Sequence, residues 1–226
     1  MSLRVLPLLV LILLQGCQSK PAAEAEPTAA ASASASAASS GREPAVVFLG
    51  DSLTAGLGLS ESQALPSLIQ QQIDQAGLSY RVINGGRSGD TTAGGLARVD
   101  WYLRDTVDLR VLVIGLGSND AMRGLPLSTV EENLRAIVQR VRAKHPSVPI
   151  LLWELKTFPN MGADYGDAYT ALFRRVAESE KLRLIDFPLA DVAGKPELNQ
   201  PDGIHPTAEG TKQVAARVWQ SLEPVL

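Results

Sequence analysis

The chain has 226 residues, 45% of them hydrophobic and 20% charged, which suits one folded domain with a sizeable core and tails. The formal net charge of −3 at pH 7, without clustered Lys and Arg, argues against a nucleic-acid-binding protein. One cysteine excludes an intrachain disulfide, and two histidines with no His/Cys cluster predict that the protein holds no metal ion.

The amino-terminal residues have the pattern of a signal peptide. Arg4 precedes an apolar run over residues 5–14, which at about ten residues is too short to span a bilayer. The segment Leu14-Gln15-Gly16-Cys17 resembles the lipobox of bacterial lipoproteins, in which cleavage exposes a cysteine that carries diacylglycerol. This resemblance implies a signal peptide at 1–16, a lipidated Cys17 and a membrane anchor. The alternative is a plain secretory signal or a buried helix with an incidental cysteine.

The predicted anchor also indicates where the protein resides. Residue 18 is Gln rather than Asp, which, by resemblance to enterobacterial sorting, favours the outer membrane of a bacterial envelope, facing the periplasm. Residues 17–43 after the signal peptide consist mostly of Ala, Ser, Glu and Pro and contain no large apolar residue. Such a segment cannot bury enough surface to fold, so we expect a disordered tether. The folded domain is predicted to span residues 44–226.

Within residues 44–226, apolar runs alternate with amphipathic segments. The runs predict strands, and apolar residues spaced three or four apart predict helices. The predicted strands are 45–49, 80–84, 111–115, 149–154 and 183–185. The predicted helices are 63–75, 91–104, 128–144, 164–181 and 207–222, the third opening with a capping box from Ser128 to Glu131. Strands separated by helices imply parallel crossovers and therefore an α/β fold with a helix/sheet/helix sandwich.

Polar segments follow four of the predicted strands. They are Gly50-Asp51-Ser52, residues 85–91, residues 117–120 and Asp202-Gly203-Ile204-His205-Pro206. The carboxyl ends of parallel strands meet at one edge of a sheet, where ligands bind in such folds. We therefore expect these four segments to converge on one cleft.

The residue types in these segments suit acyl transfer. Ser52 is the candidate nucleophile, although a serine here is also compatible with a simple helix cap. His205 is the candidate base, and Asp202, three residues earlier, is placed to orient its ring. The backbone N–H groups of Ser52 and Gly89, with the side-chain amide of Asn119, are the candidate donors of an oxyanion hole.

The four segments resemble the four blocks of the SGNH (GDSL) hydrolase family. The matching motifs are Gly-Asp-Ser-Leu at 50–53, Ser-Gly-Asp-Thr at 88–91, Gly-x-Asn-Asp at 117–120 and Asp-x-x-His-Pro at 202–206. The resemblance implies a flavodoxin-like three-layer α/β/α sandwich with a five-stranded parallel sheet. The similar branch contains bacterial arylesterases, lysophospholipases and acyl-CoA thioesterase I. Ser118 departs from the Gly that this branch often has, which is expected to stiffen the loop.

Neighbouring residues are assigned supporting roles. Asp51 and Asp120 are predicted to brace loops, Asp90 and Thr91 to begin a helix, and His145 to end one. Trp101, Trp153 and Trp219 are predicted to be core or partly buried packing residues. Apolar residues expected on loops near the cleft, each equally compatible with plain packing, are Leu57, Leu116, Met122, Leu125, Phe158 and Met161. The loop from Asp120 to Pro126 is expected to close over a bound substrate.

Together these features predict a monomeric, cofactor-free serine esterase that hydrolyses small-molecule or lipid acyl esters. The implied activities are arylesterase and lysophospholipase, with acyl-CoA thioester cleavage served by the same oxyanion hole. Two alternatives stay open: an O-acetyl esterase of envelope glycans, and a non-catalytic envelope lipoprotein that binds a glycan or lipid. The intact set of Ser52, Asn119, Asp202 and His205 argues against the non-catalytic alternative.

Overall fold

The computed structural model describes residues 42–157 and 159–226. Five parallel strands form one sheet in the order β2-β1-β3-β4-β5, which is the flavodoxin-like order. The strands are β1 (Pro44–Gly50), β2 (Arg81–Gly86), β3 (Asp108–Gly115), β4 (Ile150–Trp153) and β5 (Arg183–Ile185). The predicted α/β sandwich with a five-stranded parallel sheet is confirmed.

Helices cover both faces of this sheet. They are α1 (Ser52–Ala55), α2 (Leu65–Gln75), α3 (Thr92–Arg98), α4 (Ser118–Met122), α5 (Leu127–Lys144), α6 (Ala163–Ser179) and α7 (Ala208–Leu222). Helix α5 packs against both α3 and α6, whereas α2 packs against α7. These two groups form the outer layers of the three-layer sandwich. Within the described ranges, no helix has the length and apolar character needed to cross a bilayer.

The central strands are apolar on both sides because both faces of the sheet are covered. Residues 45–49 of β1 and 111–115 of β3 are buried along their whole length. In the register of the sheet, Gly50 at the end of β1 pairs with Gly86 of β2 and with Gly115 of β3. Three strands therefore end at the same level, and the segments that follow them begin side by side.

The predicted helix over 91–104 is shorter than expected. Helix α3 ends at Arg98, and the chain continues as a 3-10 turn over Val99–Tyr102. Val99 and Leu103 take the core-facing positions of this region, so Trp101 points outward and is 54% exposed. The prediction that Trp101 is a packing residue is therefore wrong. Trp153 is fully buried and Trp219 packs against the core, as expected.

The capping box predicted from Ser128 to Glu131, at the start of the helix that the structure shows as α5, is also wrong. Helix α5 begins at Leu127, one residue before Ser128, with Pro126 as its N-cap. The Pro126 carbonyl accepts hydrogen bonds from the N–H groups of Thr129 and Val130. The first hydrogen bonds of the helix therefore go to Pro126, and Ser128 lies inside the first turn and not at the cap.

The predicted signal peptide at 1–16, Cys17 and the tether up to residue 41 lie outside the described residues. The domain boundaries at 16/17 and 43/44 stay predictions. Strand β1 begins at Pro44, one residue before the predicted strand over 45–49.

Candidate active site

Ser52, His205 and Asp202 form a chain of hydrogen bonds at the carboxyl edge of the sheet. The His205 Nε2 atom lies 2.8 Å from Ser52 Oγ, across 153 residues of sequence. The other ring nitrogen, Nδ1, lies 2.6 Å from Asp202 Oδ2. When the neutral imidazole donates its Nδ1–H to Asp202, Nε2 is left as the acceptor for the Ser52 hydroxyl.

Asp202 is held in place by the backbone of its own loop. Its Oδ1 atom accepts hydrogen bonds from the N–H groups of Ile204 at 2.9 Å and His205 at 3.0 Å. These bonds, led by the one from His205, stabilise the ionised carboxylate and lower the pKa of Asp202 to about 2. One carboxylate oxygen therefore fixes the loop while the other orients the imidazole.

Ser52 is placed by a tight turn between β1 and α1. The N-cap of α1 is Asp51, whose side chain accepts a hydrogen bond from the Leu53 N–H at 3.0 Å. Ser52 is thus the first residue of α1 and not its cap, which removes the simple capping alternative. A side chain on Gly86 would collide with the backbone of Ala55, since an added Cβ would lie 2.2 Å from its nitrogen. Glycine in β2 therefore allows α1 to rest directly on the sheet.

Gly89 and Asn119 line the same cleft as Ser52. Gly89 has a φ of +82°, a left-handed conformation that favours glycine. The Asn119 side-chain amide donates to the Asp90 carbonyl at 2.9 Å and, at a longer 3.3 Å, to Asp51 Oδ2. The structure therefore brings all three predicted oxyanion-hole residues together at the edge where Ser52 meets His205.

Two buried carboxyl groups lie behind these residues. Asp51 is 1% exposed, and burial raises its pKa to about 6. Asp120 is fully buried, which also raises its pKa, and it accepts hydrogen bonds from the N–H and the hydroxyl of Thr92. Asp120 is therefore a loop brace, as predicted. Thr91 caps α3 through the Gly94 N–H, whereas Asp90 does not begin that helix and instead pairs with Arg98.

The raised pKa of Asp51 predicts a specific pH dependence of stability. The unfolded carboxyl releases its proton near the ordinary value of 3.8, whereas the folded one retains it up to about pH 6. The folded state binds more protons between these values, so the free energy of unfolding falls as pH rises from about 4 to about 6. Asp51→Asn has no such titration, and its stability relative to wild type should increase over this range by up to about 3 kcal/mol.

Urea unfolding at pH 4, 5, 6 and 7 measures this difference. Asp105→Asn is the control, because Asp105 lies on the surface and its charge stays in water. A stability difference between wild type and Asp51→Asn that does not change with pH would contradict the buried, raised-pKa state of Asp51.

A cleft of about 570 Å³ opens beside these residues. Ser52, Gly89, Asn119 and His205 are on its wall, and most of the remaining lining is apolar. Leu57 and Met122 line it, as the sequence predicted. The apolar lining residues that sequence reasoning missed include Leu53, Leu155, Phe187, Leu189, Ala193 and Ile204. Phe187 and Leu189 follow β5. Because the ends of parallel strands meet at one edge of the sheet, their position after β5 could have placed them at the cleft.

Three of the proposed lining residues do not line the cleft. Leu116 is fully buried, and an added Cβ on Gly95 of α3 would lie 2.2 Å from its Cδ1. It packs beneath the site against that helix. Leu125 is partly buried outside the cleft, and Met161 packs against the core. Phe158 lies outside the described residues.

Comparison with known proteins identifies the family. Residues 48–213 match the model of the GDSL-like lipase/acylhydrolase family. The chain belongs to this family. It is 38% identical over 181 residues to esterase TesA of Pseudomonas aeruginosa, covering 80% of this chain and 89% of that protein.

A second relative and a solved structure agree with this assignment. The chain is 34% identical over 181 residues to the thioesterase 1/protease 1/lysophospholipase L1 of Escherichia coli, with 80% and 84% coverage. A crystal structure of TesA superposes with a TM-score of 0.76 and 37% identity, covering 80% of this chain and 99% of that one. As a member of the GDSL-like lipase/acylhydrolase family, the protein is a hydrolase that acts on ester bonds.

The second histidine of the chain, His145, does not line the cleft of this acylhydrolase. His145 is the C-cap of α5, the position predicted for it, and its Nε2 is buried. Over residues 42–157 and 159–226, no group of three or more His, Cys, Asp or Glu side chains is arranged to hold a metal ion.

Proposed function

We propose that this acylhydrolase is a serine esterase in which Ser52 is the nucleophile, His205 the general base and Asp202 the residue that orients His205. The observation that carries the proposal is the continuous pair of hydrogen bonds, 2.8 Å from Ser52 to His205 and 2.6 Å from His205 to Asp202. A serine hydroxyl is a weak nucleophile until an adjacent base takes its proton, and these distances allow that transfer.

The reaction proceeds through an acyl-enzyme. Ser52 Oγ attacks the acyl carbonyl carbon while its proton passes to His205 Nε2. The tetrahedral adduct collapses, and the leaving alcohol or thiol takes that proton from His205 as the ester bond breaks. A water molecule then attacks the acyl-Ser52 carbonyl and gives a proton to His205. The bond between the acyl carbon and Ser52 Oγ breaks as His205 returns that proton to Oγ, which releases a carboxylic acid and restores Ser52. Asp202, ionised above about pH 2, stabilises the imidazolium in both steps.

The oxyanion of each tetrahedral adduct needs hydrogen-bond donors. We assign this role to the N–H groups of Ser52 and Gly89 and to the Asn119 amide. One amide hydrogen of Asn119 is committed to the Asp90 carbonyl at 2.9 Å, which holds the side chain in place. The second has only the longer 3.3 Å contact to Asp51 and is therefore the one shared with an oxyanion.

The cleft favours acyl esters as substrates. Its largely apolar lining, which includes Leu53, Leu57, Leu155 and Phe187, matches an acyl chain better than a polar sugar. The names of the relatives, which include esterase, thioesterase and lysophospholipase, support the same substrate class. We propose arylesterase- and lysophospholipase-like hydrolysis, with thioester cleavage by the same groups. We favour this function over the two alternatives, which are hydrolysis of O-acetyl esters on glycans and non-catalytic binding.

A panel of para-nitrophenyl esters of increasing acyl length tests this function. We expect the purified full chain in mild detergent to hydrolyse them, to prefer chains longer than acetyl, and to lose the activity in Ser52→Ala. Strict preference for acetyl would favour the glycan O-acetyl esterase. A folded protein that hydrolyses no ester would favour the binding lipoprotein.

We further propose that Cys17 carries the lipid anchor that tethers the enzyme to the envelope membrane. The supporting observation is the Leu14-Gln15-Gly16-Cys17 segment with an alanine- and serine-rich stretch behind it. Expressed in a bacterium, the wild type should incorporate radiolabelled palmitate and Cys17→Ser should not, because serine has no thiol to carry the diacylglycerol. Equal incorporation into the two proteins would contradict the anchor.

A further inference from the structure

The guanidinium of Arg98 is buried directly behind the candidate active site. Arg98 is the last residue of α3, and only 6% of its side chain is exposed. Its Nε donates to Asp90 Oδ2 at 2.6 Å, Nη1 to the Gly85 carbonyl at 2.6 Å, and Nη2 to the Gly50 carbonyl at 2.8 Å. One side chain therefore connects the ends of two strands and the loop after β2.

These acceptors adjoin the residues proposed to bind the oxyanion. Gly50 is followed by Asp51 and Ser52, and Asp90 directly follows Gly89. The Gly50 carbonyl also accepts the backbone N–H of Arg87 at 3.0 Å, which adds a second link between the two loops. The relative position of the Ser52 and Gly89 N–H groups thus depends on what holds Gly50 and Asp90 together.

The third donor is linked to the same residue. The Asn119 amide donates to the backbone carbonyl of Asp90, whose carboxylate binds Arg98. Asp90 therefore connects the guanidinium on one side to Gly89 and Asn119 on the other. A shift of Asp90 would move two of the three donors away from Ser52.

Two glycines, Gly85 and Gly94, leave room for this network because they have no side chain. An added Cβ on Gly94 would lie 2.8 Å from Asp90 Oδ1, and one on Gly85 would lie 2.9 Å from the Tyr102 hydroxyl oxygen. That hydroxyl accepts a further bond from Arg98 Nη1 at 3.2 Å. Side chains at either glycine would displace groups that contact the guanidinium.

We propose that Arg98 is a positioning residue that sets the separation of the Ser52 and Gly89 N–H groups in the oxyanion hole. The inference rests on the proposed function, because it assigns the donors to that reaction. The planar guanidinium reaches its acceptors in three directions at once, whereas the compact ammonium of lysine cannot. Since misplacement of reacting groups by about 1 Å can cost about 10²-fold in rate, we expect Arg98→Lys to lower kcat by about 10- to 100-fold.

The test compares Arg98→Lys with Arg140→Lys in the full chain. Arg140 is a matched control, because it also donates to a backbone carbonyl, that of Leu96, and to a carboxylate, that of Asp100, but its side chain is 45% exposed. The readouts are kcat, KM, the melting temperature and the Ki of an alkyl boronic acid. The boronic acid forms a tetrahedral adduct with a serine nucleophile and so reports on the oxyanion hole.

For Arg98→Lys, we expect kcat to fall and the boronate Ki to rise by similar factors, with KM within about threefold of wild type. Arg140→Lys should change each of these by less than twofold. Tyr102→Phe removes one contact of the guanidinium and keeps the others, so it should lower kcat by about two- to fivefold in a folded protein. If Arg98→Lys does not fold, Tyr102→Phe tests the proposal in its place.

Two results would overturn the inference. One is a loss of activity in Arg98→Lys that only follows the unfolded fraction, with kcat per folded molecule and the boronate Ki unchanged. The other is wild-type kcat in Tyr102→Phe when Arg98→Lys is unfolded. A wild-type chain without Ser52-dependent turnover would overturn the proposed function as well, which separates that failure from a failure at Arg98 alone.

Discussion

Replacing Ser52 by alanine is expected to lower kcat for ester hydrolysis by about four orders of magnitude or more. The variant retains the cleft and the oxyanion donors but has no group that can form the acyl-enzyme. His205→Ala should cause a loss of similar size, because Ser52 then has no base at 2.8 Å. Since the two residues act as one unit, the double variant should be no slower than either single variant. Initial rates on the preferred para-nitrophenyl ester measure all three.

Ser88→Ala is the matched control for this experiment. Ser88 is another serine on the wall of the same cleft, but no hydrogen bond between it and a histidine is found among the described residues. Its replacement should cost less than tenfold in kcat. Ser52→Ala activity within tenfold of wild type would show that another group is the nucleophile.

Asn119→Ala is expected to lower kcat by about 10² to 10³ while KM stays within about threefold of wild type. We expect kcat to change far more than KM because the amide binds the substrate oxygen more strongly in the transition state, where it is an oxyanion, than in the ground state, where it is a carbonyl. Asn119 is 7% exposed and also supports the Asp90 backbone, so we expect a lower melting temperature as well. Steady-state kinetics normalised to the folded fraction separate the two effects.

Asn133→Ala is the control for Asn119. Asn133 is a helix residue of α5 whose amide donates to Thr92 Oγ1 at 3.0 Å, and it does not line the cleft. Its loss should change kcat by less than threefold. A rise in KM with unchanged kcat in Asn119→Ala would mean that the amide binds substrate and not the oxyanion.

The residues of the candidate site could be predicted from the sequence for two physical reasons. Parallel strands end at one edge of a sheet, so polar segments after consecutive strands converge even when they are far apart in sequence. Asp202 and His205 are three residues apart, and the hydrogen bond between them at 2.6 Å is a local contact within one loop. The family motifs then singled out Ser52 among the serines of the chain.

The cleft wall was less predictable because it depends on side-chain direction. Leu116 and Met122 are close in sequence and both apolar, yet the first is fully buried and the second is 46% exposed and lines the cleft. Gly95 of α3 lies against Leu116, and this contact joins two separate segments of the chain. Nothing in the local pattern distinguishes the two residues.

By itself, the sequence of this protein determined the strands, their parallel arrangement and the residues of the candidate site, because these depend on apolar runs and on local spacing. Tertiary structure alone decided which polar groups are buried and what they contact. Asp51 acquires its raised pKa from burial, and Arg98 reaches Gly50 across 48 residues. Such contacts arise where separate helices and strand ends pack together, and local spacing carries no information about which side chains meet there.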